Sequence, residues 1–66
     1  MPVVDVNGPI GLSTDQKRTM IKRMTDAVHE AWGPKGTTVV MINEHDSNSV
    51  GIDGELDADR RARQAT

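Results

Sequence analysis

A chain of 66 residues with no cysteine and a formal net charge of −2 is one small domain without disulfides or thiolate metal sites. The negative balance argues against nucleic acid as a partner, and no apolar run reaches the length of a membrane span or the core of a signal peptide, so the cytoplasm is the expected location. Cores this small ordinarily lean on a disulfide, a metal or a partner subunit, which leaves association as the expected support, and Trp32 is the only aromatic residue available to fill one.

In chain order, Val3, Val4 and Val6 predict a short strand in which alternation sets Asp5 opposite Val4 and Val6. Asn7, Gly8, Pro9 and Gly11 then punctuate a loop. Ser13 followed three residues later by Gln16 has the spacing of a capping box, and Met20, Ile21, Met24, Ala27, Val28 and Ala31 make one apolar helical face of about five turns. Gly33-Pro34 ends that helix. Residues Thr37 to Glu44 (TTVVMINE) predict a second strand, HDSNS a loop, and VGIDGEL a small hairpin or extended arm.

The expected fold class is therefore α/β: a short β-α-β unit with parallel strands and a C-terminal hairpin or arm, assembling as an oligomer because one helix covers one face of a two-stranded sheet. Residues 1–56 are the expected domain, and 57–66, a mostly polar segment, a tail or packed-down extension.

Taken together, the Met-Pro start on a strand, Ser13-Thr14-Asp15-Gln16-Lys17 before an amphipathic helix, the strand ending Ile42-Asn43-Glu44, and Gly51-Ile52-Asp53-Gly54-Glu55-Leu56 resemble the 4-oxalocrotonate tautomerase family. The resemblance implies a homohexamer or a related assembly. It also implies that Pro2, freed as the N-terminus by removal of Met1, is the catalytic group. A secondary amine in that position suits the role. An α-amino group ionises at about 7.7–8.0 in model peptides, and an apolar pocket lowers that value towards neutrality, where a general base works best. The implied reaction is a proton shift on an enolisable carbonyl compound, with no metal or cofactor.

The chain departs from the family pattern where the family places two arginines and an aromatic residue. Leu12 stands at one arginine position, the stretch Val39-Val40 at the other, and Val50 at the aromatic one. An arginine fork grips a carboxylate through paired charge-assisted hydrogen bonds, so its loss argues against a dicarboxylate. The implied substrate pocket is Leu12, Val39, Val50 and Ile52, apolar in character. Arg60, Arg61 and Lys35 are candidate replacement cations, with no spacing argument to choose among them. Some relatives pair two kinds of chain in a heterohexamer, and a chain with Pro2 but no arginines fits the proline-bearing role; a non-catalytic subunit is the other alternative. Dehalogenation or hydration of unsaturated acids is a second family theme, which needs a water-activating carboxylate near where Ile52 stands.

Other features have plainer readings. Glu44-His45-Asp46 alternate sides on an extended segment and make a poor metal cluster. His29 suits the end of a helix dipole, Met20, Met24 and Met41 read as packing, and Lys17, Arg18, Lys22 and Arg23 as a solvated helical face. A ribbon-helix-helix DNA-binding protein also opens with a strand and a helix, but the β-branched segment after Pro34 and the negative charge weigh against it.

Overall fold

The computed structural model describes residues 1–65. Strand β1 (Val3–Pro9), helix α1 (Thr14–Trp32) and strand β2 (Val39–His45) form the β-α-β unit, with β1 and β2 parallel and Val3 opposite Val39. A 3-10 turn at Ser47–Ser49 leads into β3 (Gly51–Ile52) and β4 (Glu55–Leu56), an antiparallel pair, and the chain ends in helix α2 (Asp57–Gln64). Residues 57–64 of the polar extension are thus helical. Among the described residues no helix is long and apolar enough to cross a membrane.

The start of α1 is fixed by its capping box: Ser13 Oγ accepts from the Gln16 N–H at 3.1 Å, and Gln16 Oε1 accepts from the Ser13 N–H at 2.9 Å. These two bonds satisfy donors that a helix N-terminus otherwise leaves open. Gly33 closes the other end at φ 94°, its N–H on the His29 carbonyl at 2.8 Å.

β2 runs one residue further than expected, to His45, and two other boundaries differ from the sequence expectation for one reason. β2 begins at Val39 and not Thr37, because β1 begins at Val3 and Thr37 has no strand residue opposite it. β1 runs on through Asn7, Gly8 and Pro9, expected as loop, because β2 is long enough to pair with them. Proline is tolerated there by alternation. The Ile10 N–H points at β2 and bonds the His45 carbonyl at 3.3 Å, so the Pro9 nitrogen faces the open edge, where no ladder bond is lost.

Register sorts the side chains. Even-numbered residues of both strands face α1: Val4, Val6, Val40 and Ile42 are half-buried there, and Glu44 meets Lys17 of α1 at 3.0 Å. Odd-numbered residues face away. That outer face is apolar at its start, with Val3, Val39 and Met41, and polar at its end, where Asn43 donates to Asp5 and His45 Nε2 lies 3.1 Å from Asn7 Oδ1.

Little is enclosed. Val28 is the one buried apolar residue among those described, while Ile10, Ile52 and Trp32 (76% exposed) lie open. The radius of gyration is 15.9 Å, where a compact chain of this length has about 11 Å. Its accessible surface of 5158 Å² exceeds by roughly 1,000 Å² that of a compact monomer of its mass. An excess of that order is what a partner of ordinary interface size covers. Replacing Ser13 by alanine removes half the capping box and is expected to destabilise the protein by about 1 kcal/mol, measured by urea denaturation at a fixed protomer concentration.

Candidate active site

Pro2 enters the structure as the last residue before β1. It continues the even-numbered alternation, half-buried on the α1 side, while Met1 is 82% exposed. The Val39 N–H donates to the Pro2 carbonyl at 3.0 Å, so the backbone of the residue is fixed to the second strand. The Val39 side chain points the other way, being odd-numbered. On the Pro2 face the neighbouring even positions are Thr38 and Val40, both half-buried; the alternation of β2, which singles out Val40 from the Val39-Val40 pair, was available in the sequence once the register was known.

At the carboxyl end of the strands, about 20 Å away by strand rise, lies a cavity of about 490 Å³. Its walls are the β1 end (Asn7 to Ile10), the His45-Asp46-Ser47 turn, Val50 and Ile52 of the arm, and Asp57, Arg60 and Arg61 of α2. The carboxyl end of parallel strands is where α/β folds generally place a ligand. A second cavity of about 430 Å³ lies on the opposite face of the sheet, between β1 and α1, and holds Leu12 with Val6, Met20, Ile42 and Glu44.

The four expected pocket residues are therefore not gathered in one chain. Val50 and Ile52 share a wall; Leu12 is across the sheet from them; Val39 is on their face but at the far end, beside the Pro2 backbone. The site can close only if ends of different chains meet. Sequence reasoning set aside His45, expected as a solvated strand end, and did not consider Ile10; both help to line the cavity at the carboxyl end of the strands. Their signal was weak, since both depend on where β1 and β2 stop.

The arm is pinned by charge. A two-residue turn, Asp53-Gly54, joins β3 to β4 with φ of 53° and 84°, the positive values a type I′ turn requires. Asp57 then opens α2. It is 5% exposed, its N–H bonds the Val50 carbonyl at 2.7 Å, and its Oδ2 accepts from Arg61 Nε at 2.8 Å. A carboxylate also suits the first turn of a helix. Arg63 reaches back to Glu55 at 2.8 Å. The Asp46 carboxylate is turned into its own loop, where Oδ1 accepts from the Asn48 N–H and side chain at 2.8 and 2.9 Å. Among the described residues no three His, Asp or Glu side chains gather as metal ligands would.

The sequence matches the family model described as Tautomerase, tautomerase enzyme, over residues 2–60. Solved structures with the same fold include YwhB, a homologue of 4-oxalocrotonate tautomerase, 30% identical over 88% of this chain and 97% of that one with a TM-score of 0.79. TomN, a 4-oxalocrotonate tautomerase homologue in the tomaymycin biosynthetic pathway, is 26% identical over 92% and 95%, TM-score 0.81. DmpI from Helicobacter pylori is 28% identical over 92% and 97%, TM-score 0.75. No curated protein matches.

Replacing Asp57 by alanine removes the partner of Arg61 and the first-turn carboxylate together. Loss of a charged hydrogen bond at a buried site, worth about 1–3 kcal/mol, should accelerate amide exchange across residues 57–64 by tenfold or more, with α1 unaffected.

Proposed function

We propose that this chain, which belongs to the tautomerase family, moves a proton on an enolisable carbonyl compound, with Pro2 as the base once Met1 has been removed. With Met1 in place the Pro2 nitrogen is an amide and has no basicity. Freed, it is a secondary amine whose ring holds the lone pair in one direction and whose carbonyl stays anchored by the Val39 N–H. That anchored, half-buried start of β1 is the observation that carries the reading. The neutral amine takes a proton from carbon next to the carbonyl, and the electron pair moves onto the carbonyl oxygen to give an enolate or dienolate. The resulting ammonium then returns the proton to a different carbon. Neither a metal nor a cofactor enters this sequence.

The remainder of the site comes from other copies. β1 has an open edge on which Val3, Asp5 and Asn7 present unpaired backbone groups. A second β1 added antiparallel to it brings Pro2 of one chain beside Pro9 and Ile10 of the next, at the mouth of the cavity that Val50, Ile52 and α2 line. We take the assembly as a homohexamer in the cytoplasm, with Leu12, Val39, Val50 and Ile52 as apolar lining contributed by more than one chain. The absence of arginine at Leu12 and Val39 favours one alternative, a proline-bearing subunit that meets an arginine-bearing chain in a heterohexamer.

Intact mass before and after a 3-halopropiolate, which alkylates free amines, tests the base. The expected result is a chain lacking Met1 that gains one adduct, localised to Pro2. Pro2→Ala is expected to lower kcat/KM for ketonisation of the enol of 3-phenyl-2-oxopropanoate by about a hundredfold or more. A rate equal to wild type would overturn the mechanism, and mixed-mass assemblies purified from the native host would favour the heterohexamer.

A further inference from the structure

The cavity at the carboxyl end of the strands holds an unevenly satisfied set of charges. Two carboxylates and two guanidiniums line it. Asp46 is taken up by Asn48, and Asp57 by Arg61. Arg60 is left with a single long approach, Nη1 to Asp57 Oδ1 at 3.8 Å, beyond hydrogen-bond distance. Its side chain is 38% exposed, so its guanidinium donors are available to a ligand in the cavity. The other cations are engaged or elsewhere. Lys17, Arg18 and Lys22 pair with Glu44, Asp15 and Asp26; Arg23 lies on α1; Lys35 is exposed in the loop before β2 and lines no cavity described above.

Arg60 shares its cavity with Ile10, Val50 and Ile52. We propose that the Arg60 guanidinium is the carboxylate-binding group of this site, and that its ligands are monocarboxylates with an apolar or aromatic body, enolisable 2-oxo acids when they are substrates. This rests on the tautomerase reading for the reaction but not for the binding. The guanidinium fork takes the carboxylate through two parallel N–H donors, and the apolar wall takes the body. A second carboxylate finds only Arg61, which Asp57 already holds. It would meet Asp46 and Asp57, and like charge rejects it. One chain thus regains anion recognition from α2 in place of the family's arginines, with a narrower range of ligands.

The test uses an unreactive probe, 3-phenylpropanoate, titrated into the assembled protein and followed by NMR. Wild type is expected to bind with shifts centred on Val50, Ile52 and Arg60. Arg60→Gln should weaken binding by about tenfold to a hundredfold, the range of a charge-assisted pair, while binding the neutral 3-phenylpropanamide as wild type does. Arg60→Lys should fall between the two, keeping charge without the fork. Glutarate should bind more weakly than the monocarboxylate. No binding by wild type, equal binding by Arg60→Gln, or a larger loss in Lys35→Gln would overturn the proposal. The alkylation of Pro2 is the separate control: a protein that takes up no adduct yet binds the probe through Arg60 has lost the base and kept the anion site, so a failed base and a failed anion site give different results.

Discussion

A two-stranded parallel sheet has two faces and two edges, and because a single helix can cover only one face, everything else in this molecule is arranged around the surface that α1 leaves open. The strict pairing of Val3 with Val39 and onward divides the side chains into an even set under the helix and an odd set facing outward. Among the described apolar residues only Val28 is buried, and even it is not fully shielded, so the covered face is half a core. Its other half has to come from outside the chain. The open face is not uniformly greasy either: Val3, Val39 and Met41 occupy one end, while the Asp5–Asn43 and Asn7–His45 contacts occupy the other. A surface divided in this way favours one orientation of a neighbour over its reverse, because sliding apolar residues onto the polar end leaves hydrogen-bonding groups buried without partners.

The same division keeps the expected site residues apart within one chain. Pro2 lies at the amino end of the strands and the cavity of Val50 and Ile52 at their carboxyl end, with the sheet itself separating Leu12 from both. What the chain does complete alone is the arm. Its two short strands and eight-residue helix are below the length that is stable in isolation, and they are held by the Asp53-Gly54 turn, the buried Asp57 and the back-reach of Arg63 to Glu55. Asp57 is the pivot. By taking up Arg61 it fixes the direction of α2 and leaves Arg60 directed at the cavity with its donors uncommitted.

Much of the fold was legible because its signals are local. The Ser13–Gln16 box, the apolar repeat from Met20 to Ala31 and the Gly33 stop lie within a few residues of what they control. So does the Asp53-Gly54 turn. The errors fell where a residue's state is decided by a distant partner. Asn7, Gly8 and Pro9 have loop composition, yet β2 draws them into a strand; Thr37 has strand composition, yet nothing pairs with it. The site was less legible for the same reason. Leu12, Val39, Val50 and Ile52 are set apart by the register and by the path of the arm, neither of which a single sequence specifies. Nor does composition distinguish Arg60 from Arg61. Only the helical phase of α2 and the geometry at Asp57 separate a committed guanidinium from an available one.

Trp32 carries a consequence of a different kind. It is the chain's only aromatic side chain, with no tyrosine or phenylalanine beside it, and it stands in solvent at the last residue of α1. The near-ultraviolet absorbance and fluorescence of the protein therefore come from one indole that is already hydrated in the folded chain. Unfolding changes its surroundings little, so its emission is a poor gauge of whether α1 and the sheet are intact. A neighbour that covers the end of the helix dries the ring and moves its emission to the blue. The intrinsic optical signal of this molecule thus reports company more than conformation.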